Sequence, residues 1–158
     1  MKARIFTFLM ICFIANFFTA QTLVKPADFN IKDIASYLKT QNFVIDEIHD
    51  NYIKITDNQN SSIFIDISED KKSLLFNVKI LLKKEAKVSE IESLLGKIND
   101  LNMIKAKYLS EDNSVFFQYN FWIDKGFTKE TLLDAIIEFG LYQGDSFALD
   151  KAKIFEYQ

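Results

Sequence analysis

Hydrophobic residues recur with a helical period in three parts of the chain. In the first part Asn30 is a favourable N-cap, and the apolar spacing that follows predicts a helix over residues 31–42. A second helix is predicted over residues 88–101, with Ser89 and Glu92 as a capping box at its start. Thr128 caps a third, in which Gly140 and Gly144 are candidate interruptions before a C-terminal turn at residues 147–154. The three apolar stripes are Ile31, Ile34, Ala35 and Leu38; Ile91, Leu94, Leu95, Ile98 and Leu101; and Leu132, Leu133, Ile136, Ile137 and Phe139.

Elsewhere apolar and polar residues alternate at every second position, which is the period of a strand with one buried face. The joints between the first four of these runs are short, polar and turn-prone, so we predict an antiparallel meander followed by a hairpin. The predicted strands cover residues 43–48, 52–56, 63–68, 74–82, 103–109 and 114–123.

The resulting order, α-β-β-β-β-α-β-β-α, predicts an α+β fold: an antiparallel sheet with helices on one face. No repeat or shift of composition divides residues 30–158, so we expect a single domain preceded by an extended segment, residues 21–29. The face expected to lie under the helices carries Ile53, Ile55, Ile63, Ile65, Ile67, Leu74, Phe76, Val78, Ile80 and Leu82.

Residues 1–20 have the pattern of a secretory signal peptide. Lys2 and Arg4 precede an apolar stretch over residues 5–15, which is shorter than the roughly 20 residues that span a bilayer. Ala20 is the small residue expected before a cleavage site. We therefore predict cleavage after Ala20 and a periplasmic or secreted mature protein that does not insert into a membrane. Retention of the leader as an anchor is the alternative.

Composition narrows the function classes further. Cys12, the one cysteine, lies in the leader, so the mature chain has neither disulfides nor a thiol nucleophile. Without Lys2 and Arg4 the 19 basic side chains fall to 17 against 22 acidic ones, so the net charge becomes −5. This charge argues against nucleic-acid partners and attraction to anionic lipid.

Candidate chemistry is sparse. His49 is the only histidine, and on a strand His49 and Glu47 point one way while Asp46 and Asp50 point the other, so a solvated strand end is favoured over a metal site. The acidic turns at residues 57–60 and 111–113 lack the ligand pattern of an EF-hand loop. No catalytic triad motif, P-loop, G-x-G-x-x-G or H-E-x-x-H is present. We predict a protein without enzymatic activity, cofactor or bound metal.

One constellation suggests a binding surface. The sheet face opposite the isoleucine-rich positions carries bulky apolar residues among polar ones, whereas soluble monomers rarely expose large contiguous apolar patches. Aromatic residues are also enriched at the centres of interfaces. A protein partner or a second copy of the chain is the expected occupant, and coverage by the last helix or a loop is the alternative. The candidate surface consists of Tyr52, Phe64, Leu75, Phe116 and Trp122.

Several segments together carry a family resemblance. They are the helix-to-strand entry at residues 34–43, the paired strands at 52–56 and 62–67, the stretch YLSEDNSVFFQY at 108–119, and KGFTKETL at 125–132. With these, residues 30–148 resemble the YbjN-domain family of sensory-transduction regulators. The order of elements is also similar to that of type III secretion chaperones, which bind unfolded stretches of partner polypeptides and usually act as dimers. The resemblance implies a non-enzymatic binding or regulatory role, and no catalytic residues are carried over.

The sequence therefore predicts an exported binding domain that engages a polypeptide or associates with itself through the sheet face or an edge strand. Export separates it from the cytoplasm, so the similarity to secretion chaperones concerns the fold and not the task. The alternative function is a small-ligand binder or an enzyme with a pocket between helix and sheet, in which Tyr108, Tyr119 or His49 supply polar contacts.

Overall fold

The computed structural model describes residues 22–56 and 62–156. The predicted signal peptide at residues 1–20 and the acidic turn at residues 57–60 lie outside the described residues. Three α-helices are present in the described part: α1 (Ile31–Thr40), α2 (Val88–Asn99) and α3 (Lys129–Leu149). A single 3-10 turn, Pro26–Asp28, interrupts the segment at residues 21–29 that was expected to be extended. The strands are β1 (Val44–Ile48), β2 (Tyr52–Thr56), β3 (Ser62–Ile67), β4 (Ser73–Leu81), β5 (Lys105–Leu109) and β6 (Ser114–Trp122). Within these ranges no helix combines the length and the apolar character that crossing a bilayer requires.

The six strands form one antiparallel sheet in the order β1-β2-β3-β4-β6-β5. The predicted meander of β1 to β4 and the β5–β6 hairpin are both confirmed. The two units join through β4 and β6, which pair along their full length from Ser73↔Trp122 to Leu81↔Ser114. This longest pairing in the sheet fuses meander and hairpin into one surface.

All three helices lie on one face of the sheet, so the α+β prediction is confirmed. Residues at alternate strand positions are fully buried beneath them, for example Ile53, Ile65 and Phe117. Phe76 of β4 meets Phe139 of α3 edge-on, with ring centroids 6.0 Å apart. Burial of these large side chains supplies the main driving force for folding, at about 1.5–3 kcal/mol for each.

The helices differ from prediction at their ends and at one cap. α1 ends at Thr40 and not at residue 42. The predicted start of α2 at Val88 is confirmed, but the capping box at Ser89 and Glu92 is wrong, because it is the Glu90 carboxylate that accepts from the backbone N–H of Lys87, at 3.2 Å. That helix ends at Asn99 and not at residue 101. Gly140 and Gly144 do not interrupt α3, which continues to Leu149. The burial of Phe139 on the sheet outweighs the helix penalty of about 1 kcal/mol per glycine.

β2 has its predicted bounds, while the other strands differ from prediction at one or both ends by one or two residues. The largest difference is in β5, which starts at Lys105 where 103 was expected. After α3 the chain returns to the sheet. The Asp150 carboxylate accepts from the N–H groups of Ile154 and Phe155, each at 3.0 Å. This turn directs Phe155 into the core, where it is fully buried and forms a bridge with Leu82.

Candidate functional site

The sheet surface that faces away from the helices is called the open face here. The strand registers confirm that the predicted positions share it: Phe64 lies opposite Lys54 and Asn77, and Asn77 lies opposite Gln118. The last helix does not cover this face, because α3 packs against Phe76 on the other side of the sheet. The open face carries Tyr52, Lys54, Phe64, Asp66, Leu75, Asn77, Lys79, Phe116, Gln118, Asn120 and Trp122.

The five predicted surface residues do not form one patch. Tyr52 and Phe64 are neighbours, with ring centroids 6.2 Å apart, and Leu75 lies on the next strand. Phe116 and Trp122 stand six positions apart on β6, which corresponds to roughly 20 Å along a strand. Trp122 is 68% exposed and Phe64 36%, while the other three are half-buried. Trp122 lies diagonally across from Leu75 on the neighbouring strand, since Leu75 pairs with Asn120. The apolar groups therefore form a cluster that extends from β2 to the end of β6, with Phe116 as the outlying position.

Polar groups separate these apolar positions. The Asn77 side-chain amide donates to Asp66 Oδ2 at 2.6 Å and accepts from Gln118 Nε2 at 3.3 Å. At one end Lys79 donates to Asp112, and this hydrogen bond lowers the pKa of the Asp112 carboxyl below its usual value. An open face with this composition resembles the mixed surfaces that proteins use for reversible contacts.

His49 and its acidic neighbours form no metal site. The Tyr52 hydroxyl donates to Glu47 Oε2 at 3.2 Å, and the Tyr52 ring stacks on His49 at 4.3 Å. Desolvation raises the pKa of Tyr52, and the Glu47 hydrogen bond raises it further. Asp46 instead accepts from Thr56 Oγ1 at 2.7 Å. No group of three or more His, Cys, Asp or Glu side chains within residues 22–56 and 62–156 is arranged to hold a metal ion.

A β-bulge changes the predicted direction of one of these side chains. The register of β1 shifts between Ile45 and Glu47, so the expected alternation breaks at Asp46. Asp46 reaches Thr56 and Glu47 reaches Lys54 at 3.9 Å, which places both carboxylates on the open face. The expectation that Asp46 and Glu47 point in opposite directions is therefore wrong.

Each edge of the sheet carries a feature that opposes the addition of another strand. On β5 the Asn99 side chain bonds the backbone of Ala106 twice: its amide donates to the carbonyl at 2.9 Å and its oxygen accepts from the N–H at 2.7 Å. On β1 the bulge lies beside the charges of Asp46 and Glu47. Bulges and charges at an edge oppose the addition of another strand. The open face is therefore better suited to binding than either edge.

A second apolar surface, which the sequence pattern did not indicate, lies beside α3. It is a groove of about 580 Å³ between α3 and the turn from α1 into β1, called the α3 groove here. Ile137 and Leu141 at its margin are 51% and 67% exposed. Ile137 could have indicated this exposed surface from the sequence, but its helical spacing led to its assignment to the buried stripe. The α3 groove is lined by Gln41, Asn42, Phe43, Ile63, Leu133, Ile136, Ile137, Gly140, Leu141, Gly144 and Asp145.

Residues 30–148 match the family model of YbjN, described as "Putative bacterial sensory transduction regulator". The chain belongs to the YbjN family. A solved structure with the same fold is the crystal structure of YbjN from E. coli, described as "a putative transcription regulator", with a TM-score of 0.67 and 16% sequence identity. The alignment covers 86% of this chain and 100% of that one. No curated protein matches the chain.

The polar residues named for a ligand pocket do not converge in this YbjN-family fold. His49 follows β1 and Tyr108 lies on β5, so they occupy opposite edges of the sheet. The Tyr108 hydroxyl donates to Asn113 Oδ1 at 3.1 Å within its own hairpin. Tyr119 packs against Phe76, and burial, followed by the charge of Glu138, raises its pKa. These three side chains do not line a common cavity.

Proposed function

We propose that this member of the YbjN family is an exported protein without enzymatic activity that binds a polypeptide partner on the open face of its sheet. The observation that carries the proposal is the position of all three helices on the other face, which leaves Trp122 and the Tyr52–Phe64 pair accessible. The protected edges support it, since they disfavour pairing through a strand. The description of the family as regulatory fits a protein that acts by binding.

The composition of the face suggests how a partner is held. Tyr52, Phe64 and Trp122 offer flat apolar surface, while Asn77 and Gln118 offer hydrogen-bonding groups between them. Aromatic anchors supply most of the binding free energy at such interfaces, and the polar groups fix orientation. Lys54 lies 5.7 Å from the centre of the Phe64 ring and adds a positive charge beside this aromatic surface.

The test is affinity capture from the native envelope or medium with two variants. Trp122→Ser combined with Phe64→Ser should weaken capture of a protein partner by roughly 30-fold, which corresponds to the about 2 kcal/mol typical of an interface anchor. Val88→Ser is the matched control, because Val88 is 58% exposed on α2 and far from the open face. Equal capture by both variants would contradict the proposal. Loss of the fold in the double variant, as measured by circular dichroism, would also contradict it.

Mass spectrometry of the mature N-terminus tests cleavage after Ala20.

A further inference from the structure

The outward side of α3 is unusually apolar for a helix at a protein surface. Ile137 and Leu141 are 51% and 67% exposed, whereas the side turned towards the sheet buries the polar residues Gln143 and Ser146. α3 thus has a second, exposed apolar stripe beside its acidic residues, and an apolar stripe on a helix is typical of a side that packs against another element. Since the described chain covers only one side of α3, the outward side has the character of an interface.

The shape of the α3 groove indicates what fits there. Gly140 and Gly144 lie one turn apart along it, and a Cβ added to either would meet nothing within 4 Å. The helix backbone is therefore accessible, and another helix can pack closely against it, because the distance between packed helices depends on the side chains at the contact.

The opposite wall of the groove is a rigid turn. Asn42 adopts a positive φ of 68°, and the N–H groups of Asn42 and Phe43 bond the carbonyls of Lys39 and Leu38. This is a Schellman motif, which holds Phe43 at the margin of the groove. Lining residues on α3 extend from Leu133 to Asp145, roughly 18 Å along the axis. That length accommodates about three turns of a second helix.

Charge distinguishes between possible occupants. Asp134, Glu138 and Asp145 lie along α3, and after Lys129 this helix contains no Lys or Arg. Packing of two copies through α3 would bring the same acidic side chains together, which is unfavourable. A partner with Lys or Arg beside its apolar stripe complements both features of the surface.

We infer that the α3 groove binds an amphipathic helix of a partner polypeptide, with aliphatic side chains in the groove and Lys or Arg side chains against the acidic residues of α3. This is the helix-in-groove mode of recognition. The site lies on the helical side of the sheet, so it is distinct from the open face. The inference goes beyond the proposed function and does not depend on it.

Fluorescence anisotropy with the full chain and three labelled peptides of about 16 residues tests the inference, since isolated helices need roughly this length to form. One peptide repeats Leu and Lys with a helical period, the second replaces Lys by Glu, and the third alternates Leu and Lys with the period of a strand. The helical Leu/Lys peptide should bind at least tenfold more tightly than either of the others. Equal binding of the Leu/Glu peptide, tighter binding of the strand peptide, or no binding of the helical Leu/Lys peptide would overturn the inference.

Two glycine variants locate the site. Gly140→Leu should fill the groove and weaken binding of the helical Leu/Lys peptide at least tenfold. Gly96→Leu on α2 is the matched control, because a Cβ there also meets nothing within 4 Å, and it should leave the affinity unchanged. Unchanged affinity in Gly140→Leu would overturn the inference, as would a dimer in analytical ultracentrifugation that Gly140→Leu dissociates. Trp122→Ser should not alter peptide binding, so this result is separable from the capture experiment on the open face.

Discussion

Asn99 occupies one position of the β5 edge with a single side chain. Its amide group makes the two hydrogen bonds to Ala106 that a neighbouring strand would otherwise make. Its backbone carbonyl also accepts from Lys105 Nζ at 3.2 Å. Because Asn99 is the last residue of α2, the end of this helix and the start of β5 are joined by side-chain chemistry. Nothing in the local pattern around residue 99 indicates this role.

Asn99→Ala should lower the free energy of unfolding by about 1–3 kcal/mol, since the N–H and carbonyl of the buried Ala106 would lose their partners. Urea denaturation monitored by circular dichroism measures the change. Asn102→Ala, at an exposed position three residues further on, is the control and should change stability by less than about 0.5 kcal/mol. A similar effect of the two substitutions would show that the Asn99 hydrogen bonds contribute nothing specific.

At the scale of elements, α3 combines a buried side, an apolar outward side and two glycines in its interior. Glycine weakens a helix because it has more backbone freedom to lose and exposes the backbone to water. Packing on the sheet nevertheless keeps α3 continuous over 21 residues. The two glycines lower the stability of the helix while leaving its outward surface accessible.

Gly140→Ala and Gly144→Ala should each raise the free energy of unfolding by about 0.5–1 kcal/mol, because a methyl group at either position meets nothing within 4 Å. Thermal and urea unfolding measure the gain. Gly126→Ala should instead lower the free energy of unfolding, since Gly126 has a φ of +92° and an added Cβ would lie 2.9 Å from Val24 O. Destabilisation by the α3 substitutions would mean that the glycines are needed for the fold.

For the whole molecule, the chain beyond α3 completes the core. Phe155 is fully buried between Phe117, at 5.9 Å between ring centroids, and Phe147, at 5.4 Å. Backbone hydrogen bonds from Lys83 to Ile154 and from Glu156 to Leu81 fasten this segment to the end of β4. The last described residues are thus part of the fold and not an appendage.

Phe155→Ala should lower the free energy of unfolding by about 3–5 kcal/mol, because it removes a large side chain from a packed interior and leaves a cavity. Equilibrium unfolding in urea measures the loss, and Lys151→Ala, at an exposed position of the same segment, is the control. A loss below about 1 kcal/mol would show that the core can close without this ring.

The elements and their faces could be predicted from the sequence because helix and strand periods are properties of neighbouring residues. The positions of Ile53 and Phe64 on opposite sides of the sheet follow from alternation, and the registers confirm them. Local patterns were insufficient where two of them compete. The cap of α2 is an example, since Glu90 and Glu92 each lie three positions after a residue that could be the N-cap, Lys87 or Ser89.

The candidate site was only partly predictable. Alternation identified the members of the open face, but it could not show that Phe116 lies apart from the other four residues, because distances across a sheet depend on strand order and register. The α3 groove was missed because helical spacing around Ile137 does not reveal which side of a helix meets the sheet.

By itself the sequence determined the α+β order, the core face and the membership of the YbjN family, since these depend on local periodicity and on segments that can be compared directly. It also carries the prediction of an exported chain. Only the tertiary structure decided the β4–β6 pairing, the continuity of α3, the hydrogen bonds of Asn99 to the β5 edge and the burial of Phe155. The first, second and fourth of these rest on contacts between residues distant in the sequence, whose free energies outweigh local preferences. The Asn99 hydrogen bonds span only the connection from α2 to β5, but they form only when the chain folds back at that point.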